Sequence, residues 1–421
     1  MRRRQRVAAA LGAVAGLLAA TLTGCAGERP PRGPAGRDGP GVARMLDARA
    51  AAVRGRDADA FLATVDRAGT AFRAAQRRTF ANLAAVPLRS FSYRLVRTGE
   101  FPPALGGGRR LAATVELGYR LAGYDTAPVT ARQYLTLVSR AGRWYVASDT
   151  GRPPGGRPPR QLWDQGPVTV VRGAHSLVLG VLGGGRDEAA LRRVAAAADR
   201  AVPAVGAVWP DRWARRVVVE VPASLDGMAA LLGAAPGDFR DIAAVTTGEL
   251  GSRGPVPADR VIVNPEAYDL LGDTGRQVVL THETAHVATR PVTDDSTPLW
   301  LSEGYADWAG YLGSGRTARQ AAPELAAAVA AGDVPRGLPS DADFRFGAGP
   351  ATLARAYEGG WLACRMIADR WGADRLAAFY RAVGRAREPG PAVRDALRRV
   401  LGTDPAAFTA RWRAYLTDQL R

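Results

Sequence analysis

The chain has 421 residues, 47% of them hydrophobic and 23% charged, which is enough for the core of an ordinary globular protein with two or three domains. Its formal net charge is +17, yet all 57 basic residues are arginine, a bias typical of GC-rich genomes. Because these arginines are scattered, the charge argues against nucleic-acid binding. It favours attraction to anionic lipid or cell-wall polymers instead.

The N-terminal segment predicts export from the cytoplasm. Residues 2–6 carry four arginines, residues 7–22 are uncharged and largely apolar, and Leu22-Thr23-Gly24-Cys25 ends the segment. This order is typical of an export signal, and the cysteine makes it resemble a bacterial lipoprotein signal. The resemblance implies removal of residues 1–24, lipidation of Cys25 and anchoring at the extracytoplasmic face of the cell membrane. The alternatives are a plain secretory signal, with a secreted product, and an uncleaved signal anchor.

Two segments rich in proline, glycine and arginine divide the remaining chain. Residues 25–40 are predicted to be a flexible tether, and residues 151–160 an interdomain linker. They delimit a first domain over residues 41–150 and a second over residues 161–421. Because the other cysteine would carry the lipid, Cys364 has no cysteine to pair with, and we expect it to be a buried apolar residue.

The first domain is predicted to begin with helical residues 42–78 and to continue with strands. Apolar and polar residues alternate around Phe91, from Val115 to Leu121, and again around Leu135 and Val146. This alternation is typical of strands with one buried face. Helices followed by a curved antiparallel sheet resemble the NTF2-like fold. No catalytic cluster stands out in this segment, so packing, spacing or partner binding is its expected role.

The second domain is predicted to combine a small mixed sheet with a helical C-terminal part, which gives the chain an α+β fold. The predicted strands span residues 168–171, 216–221 and 261–263, and the predicted helices span residues 187–208 and most of the chain from residue 275 onward. Residues 243–250 are predicted to form an edge strand that could pair with an extended peptide.

Two of the three histidines lie in the motif His282-Glu283-Thr284-Ala285-His286. A helix from about residue 275 to 288, capped by Asp273 or Thr274, would place both imidazoles on one side, because residues four apart stack on a helix. Two converging nitrogens suit zinc, which binds N, O and S donors tetrahedrally. Glu283 would lie beside the metal rather than on it, a position suited to a general base.

A catalytic zinc needs a third protein ligand and leaves its fourth position to water. No histidine follows the motif, and His175 lies in a different segment, so we expect a carboxylate to be the third ligand. The next predicted helix, capped by Ser296 or Thr297, places Glu303 in its second turn. Asp307, four residues later on the same face, could accept a hydrogen bond from a ligand histidine.

This motif and the downstream segment Trp300-Leu301-Ser302-Glu303-Gly304-Tyr305-Ala306-Asp307 together resemble the gluzincin zinc metallopeptidases. The resemblance is greatest to the peptidase MA-like domains, which are related to thermolysin and to the zinc aminopeptidases, and it covers about residues 165–421. It implies a thermolysin-like fold for the second domain. The site residues that it implies are His282, His286 and Glu303 as zinc ligands, Glu283 as the base and Asp307 as the support of a ligand histidine.

Peptide hydrolysis also needs a donor for the oxyanion that forms. The related aminopeptidases use a tyrosine in a Y-E-x-G segment, and Tyr357-Glu358-Gly359-Gly360 has that form at the predicted start of a helix. The resemblance therefore implies that Tyr357 stabilises the oxyanion, with a packing tyrosine as the alternative. The G-x-M-E-N motif that binds a free amine is not in the sequence, and the nearest segment is Thr247-Gly248-Glu249-Leu250. Aminopeptidase specificity is therefore not implied.

The sequence thus predicts an extracytoplasmic zinc-dependent peptidase with a peptide or protein substrate, a lipid anchor in the membrane and no nucleic-acid partner. Glu283 would activate a zinc-bound water for attack on the peptide bond. The alternative is a non-catalytic surface lipoprotein with a structural zinc, whose first domain binds a partner or a cell-wall polymer. A third interpretation is a peptidase that acts in cis or on one dedicated partner. The patterns predict neither the cleavage preference nor the oligomeric state.

Overall fold

The computed structural model describes residues 38–151, 159–248, 256–345, 349–386 and 388–421. The predicted export signal with Cys25, most of the tether and residues 152–158 of the predicted linker lie outside these ranges. The protein has the predicted α+β class, since 50% of the described residues are helical and 18% lie in strands. Within the described ranges, none of the helices combines the length and the apolar character that a membrane span requires.

Three helices and a sheet form the N-terminal part. They are α1 (Gly39–Arg54), α2 (Ala58–Ala63) and α3 (Thr70–Asn82), then β1 (Leu88–Thr98), β2 (Arg109–Leu121), β3 (Val129–Arg140) and β4 (Arg143–Ser148). Helix α1 begins at Gly39, so the last two residues of the predicted tether belong to it. The side chain of Asp57 caps α2 by accepting a hydrogen bond from the Ala60 N–H at 2.8 Å. This cap starts a new helix within the predicted helical segment.

Strands β1 to β4 pair in chain order as an antiparallel sheet. Val115 and Leu137 on its inner face pack with Val42 and Leu46 of α1. One face of the sheet is therefore covered by a helix, which is why the sequence alternates between apolar and polar residues. The predicted strands of this part are confirmed, whereas its NTF2-like character stays a prediction.

A second sheet of five strands has the order β5-β6-β7-β9-β8. Its strands are β5 (Val168–Arg172), β6 (Ser176–Val181), β7 (Val217–Val221), β8 (Ala244–Thr247) and β9 (Arg260–Val263), with helices α4 (Glu188–Val208) and α5 (Leu225–Leu232) between them. Strands β6, β7 and β9 run parallel, and β5 and β8 are antiparallel edge strands. Strand β8 thus occupies the edge predicted for residues 243–250, which the structure describes as far as residue 248.

The two sheets share one buried core. Tyr119 of β2 packs edge-on against Trp163 with ring centroids 5.0 Å apart, and Leu117 and Leu177 belong to the same apolar cluster. A buried ion pair also joins the parts, because Asp125 accepts two hydrogen bonds from the Arg260 guanidinium at 2.9 Å each. The N-terminal part therefore packs directly on the sheet that precedes the helix with the motif His282-Glu283-Thr284-Ala285-His286.

The C-terminal part is helical, as predicted. Its helices are α6 (Pro265–Asp269), α7 (Asp273–Thr289), α8 (Leu299–Tyr311), α9 (Ala318–Ala321), α10 (Pro323–Ala330), α11 (Pro350–Trp371), α12 (Ala373–Gly384), α13 (Pro389–Leu401) and α14 (Pro405–Leu420). Helix α8 packs against both α7 and α11. The α8–α11 crossing is so close that a Cβ at Gly304 would clash with the carbonyl of Gly360. Cys364 is fully buried in this core as a free thiol, as expected.

Candidate metal centre

Helix α7 places the two histidines of the motif on one buried face. His282 and His286 are 1% and 3% exposed, and their Nε2 atoms lie 3.0 Å apart. The helix begins at Asp273, directly after Gly272, so the predicted capping by the side chain of Asp273 or Thr274 is wrong. Asp273 instead contributes a carboxylate to the first turn, where the helix dipole favours a negative charge.

Helix α8 brings Glu303 to the same point. Its Oε2 atom lies 3.3 Å from Nε2 of His282 and 3.5 Å from Nε2 of His286. The side chain is only 1% exposed, because α7 and α11 cover α8 on both sides. The structure therefore brings together the three residues that the sequence nominated as ligands.

The start of α8 differs from the prediction. The backbone N–H of Leu299 donates to the carboxylate of Asp341 at 2.8 Å, so neither Ser296 nor Thr297 is the cap. The hydroxyl of Ser296 donates to the carbonyl of Val383 at 2.7 Å instead. The N–H of Leu299, which has no acceptor within the helix, is thus bound by a side chain from a distant loop.

The donor atoms of His282, His286 and Glu303 fit a divalent metal ion. They lie within 4.8 Å of one another, and both oxygens of Glu303 are buried without a hydrogen-bond partner among the described residues. Tetrahedral donors at zinc distances are separated by roughly 3.3 Å, close to the 3.0, 3.3 and 3.5 Å found here. Since a buried carboxylate is costly unless a cation compensates it, two imidazoles and one carboxylate suit zinc.

Asp307 supports the first histidine from the far side of its ring. Its Oδ1 atom lies 2.8 Å from Nδ1 of His282. When Nδ1–H donates a hydrogen bond to this carboxylate, Nε2 carries no proton. Its lone pair then faces Glu303 and the metal position. Asp307 is thus placed where the resemblance puts the aspartate that orients a ligand histidine.

The charges of the cluster shift its pKa values in different directions. Burial disfavours the charged ring, but Asp307, Glu303 and Glu283 raise the pKa of His282 to about 10. Burial lowers the pKa of His286, which packs edge-on against the other imidazole. Burial opposes ionisation of Glu303, yet the two histidines lower its pKa to about 2. The ionised carboxylate of Glu303 and the readily deprotonated ring of His286 are thus in the forms that bind a metal, whereas His282 would release a proton when a metal binds.

Glu283 lies beside the three ligand residues, with its two oxygens in different environments. Its Oε2 atom accepts a hydrogen bond from the hydroxyl of Thr246 at 2.6 Å. Its Oε1 atom is buried with no hydrogen-bond partner among the described residues. Burial raises the pKa of Glu283 to about 7, against the lowering effects of His282 and Thr246. Such a carboxylate exchanges protons near neutral pH, as a general base must.

Tyr357 lies in α11, the helix that packs against α8. The helix begins at Pro350, so Tyr357 is in its third turn, not at its start as predicted. Its ring packs against Phe344 with centroids 5.1 Å apart. Burial raises its pKa, and the charge of Glu303 raises it further. The ring of Tyr357 is therefore packed, and its phenol is close enough to Glu303 for the charge of that carboxylate to raise its pKa.

The remaining singled-out residues have structural surroundings. His175 lies in the turn between β5 and β6, where its backbone N–H donates to Asp199 at 2.8 Å. Glu358, in the Y-E-x-G segment, accepts hydrogen bonds from the N–H groups of Glu324 and Leu325 at the start of α10. It is therefore a helix cap.

Thr246 is the site residue that the sequence did not reveal. It lies 37 positions before Glu283, in a strand predicted only as a surface for substrate. Paired threonines in a short strand are common, and nothing in their spacing indicates a contact with a distant helix.

No family model matches this chain, and no curated protein matches it. The interpretation of the site therefore depends on the motif residues and on the distances between their donor atoms. Among the described residues, His282, His286 and Glu303 form the group that could hold a metal ion.

Proposed function

We propose that this protein is a zinc-dependent peptidase of the gluzincin type. The observation that carries the proposal is the convergence of two imidazoles and one carboxylate from α7 and α8, with the side chain of Glu283 beside them. A fully buried base with a pKa near neutrality has no evident structural use, whereas hydrolysis needs such a group.

The residues of the site would divide the work as follows. His282, His286 and Glu303 would hold zinc, which when bound supplies a Lewis acid and lowers the pKa of water towards ~7. Glu283 would take a proton from the attacking water through its unpartnered oxygen and return it to the leaving amine. Tyr357 would donate to the oxyanion, since its phenol is close enough to Glu303 and Glu283 for their charges to raise its pKa.

A structural zinc in a non-catalytic lipoprotein is the second candidate. Structural zinc sites are usually closed by four protein ligands, and the described residues offer three. A structural site also has no need of a base at Glu283. These two observations favour the catalytic assignment.

The proposal includes a location and a substrate class. The lipoprotein-like N-terminus supports lipidation at Cys25 and a position on the extracytoplasmic face of the membrane, or secretion. The substrate would be a peptide or protein, and β8 offers an edge strand near Glu283 along which an extended chain could pair.

The test compares metal content with hydrolysis of a mixed peptide library read by mass spectrometry. Glu283→Gln should keep about one zinc per chain and lose hydrolysis, because it removes the base and leaves the ligands in place. His286→Ala should lose the metal itself. Cleavage by Glu283→Gln at the wild-type rate would refute the proposed mechanism, and a zinc-loaded wild type inert towards all peptides would favour the structural-zinc candidate or a dedicated substrate.

A further inference from the structure

We propose that Thr246 is a positioning residue that fixes the rotamer of Glu283 and leaves one oxygen of the base free for the reaction. The inference rests on the proposed peptidase function, since it concerns the base of that reaction. Its geometric basis is the 2.6 Å hydrogen bond from Thr246 Oγ1 to Glu283 Oε2. Both side chains are buried at 1% exposure, so water does not compete for the bond.

The two oxygens of Glu283 are not equivalent in this arrangement. Oε2 is held by Thr246, whereas Oε1 is buried without a partner among the described residues. A glutamate side chain has three rotatable bonds, and one anchored oxygen restricts all of them. The free oxygen is thereby kept in one orientation, which is what a general base needs to meet its proton at hydrogen-bond distance.

Thr246 can impose an orientation because it is itself held firmly. It lies in β8, where it pairs with Val261 of β9. Its carbonyl accepts a hydrogen bond from Arg290 at 3.5 Å, and Arg290 is bound to Asp259 at 3.1 Å. The hydroxyl is thus carried by a strand that is paired with β9 and hydrogen-bonded to Arg290, the residue that follows α7.

The hydroxyl of Thr246 has a second possible acceptor, the backbone carbonyl of Glu283 at 3.2 Å. The bond to the carboxylate is the shorter of the two, and it is assisted by charge once Glu283 ionises. A bond to the carbonyl alone would only fasten β8 to α7. The two roles predict different consequences of removing the hydroxyl.

The experiment uses the full zinc-loaded protein and three variants. Thr246→Val removes the hydroxyl while keeping the shape, and Thr246→Ser restores the hydroxyl. Thr281→Val is the matched control: its buried hydroxyl lies on α7, donates to the carbonyl of Gln277 at 2.8 Å and accepts from the side-chain amide of Gln277 at 3.1 Å. The measurements are zinc content, kcat and KM on a cleaved peptide, and crystal structures of the wild type and of the Thr246 variants.

We expect Thr246→Val to lower kcat by about tenfold to a hundredfold, the value of a buried hydrogen bond to a charged group. KM and zinc content should stay within about twofold of wild type, Thr246→Ser should recover most of kcat, and Thr281→Val should have nearly normal kcat. Equal kcat in Thr246→Val and Thr281→Val would overturn the inference, as would a valine variant that serine does not rescue.

The structures separate this inference from the proposed function. If the zinc-loaded wild type hydrolyses no peptide of the library, the kinetic comparison gives no result, and the crystal structures still decide the role of Thr246. The carboxylate of Glu283 should rotate away from its wild-type position in Thr246→Val and return in Thr246→Ser. An unmoved carboxylate in Thr246→Val would overturn the positioning role whether or not the protein is a peptidase.

Discussion

The buried pair between Asp125 and Arg260 joins the N-terminal part to the second sheet, and its removal is expected to destabilise both. The side chain of Asp125 is 0% exposed. It accepts two hydrogen bonds from the Arg260 guanidinium at 2.9 Å and one each from the N–H groups of Leu121 and Ala258 at 2.6 and 2.9 Å. In Asp125→Asn, an NH2 group replaces one of the two oxygens. It would face N–H donors instead of accepting their hydrogen bonds.

The magnitude follows from what the substitution leaves behind. Arg260 would keep a buried charge whose other acidic partner, Glu220, is 3.5 Å away. Breaking a buried ion pair from one side typically costs 3–5 kcal/mol, so we expect the free energy of unfolding to fall by about 3 kcal/mol. The control is Glu116→Gln, which breaks a pair with Arg94 whose side chains are 31% and 55% exposed. That change should cost under about 1 kcal/mol.

Urea unfolding followed by tryptophan fluorescence measures the difference. Trp163, one of the nine tryptophans of the chain, lies in the core shared by the two sheets, so the total signal includes a contribution that reports their separation. The wild type should lose this signal in one transition, and Asp125→Asn should shift the midpoint well below that of Glu116→Gln. Equal midpoints for the two variants would refute the reasoning, because they would show that the buried pair contributes no more than an exposed one.

Two further predictions concern the helices around the site. Gly304→Ala should lower stability by about 1–3 kcal/mol, because its Cβ would meet the carbonyl of Gly360. The same clash would displace the neighbouring Glu303, so zinc binding in a metal titration should weaken. The control is Gly390→Ala, which faces open space and should be nearly neutral. The second concerns Glu358, whose pKa burial raises from 4.5 to about 8 against its two N–H donors. Because the folded state then holds a proton that the unfolded state releases, the contribution of this group to stability is present below pH ~4.5 and is lost as pH rises towards ~8. Urea titrations at several pH values should show this slope in the wild type and a flatter one in Glu358→Gln; parallel curves would contradict it.

The helices and the α+β class could be predicted because their signals are local. The β-branched segments at β5, β7 and β9 and the periodic segment at α4 lie where the pattern placed them, within a residue or two at each end. Strand β6 was not predicted: all six of its residues are buried, so it has no alternation to detect. The closeness of Glu303 to the motif histidines was expected because both helices carry strong sequence signals.

The side-chain partners that the sequence did not predict lie far away along the chain. The cap of α8 comes from Asp341, 42 positions further along the chain. No sequence pattern near Ser296 indicates that its hydroxyl donates to the carbonyl of Val383. The bond between Thr246 and Glu283 spans 37 positions. Such partners are chosen by the packing of whole elements, so they become visible only when the sheet and the helices are placed together.

The shared core has a practical consequence for isolating the part of the chain that contains the candidate metal centre. A truncated chain beginning at residue 161 would expose Leu177 and Trp163 to water and strip Arg260 of its aspartate. Such a fragment is expected to aggregate on expression, whereas a truncation ahead of residue 38 leaves every described contact intact. The smallest soluble unit therefore includes the N-terminal helices and sheet.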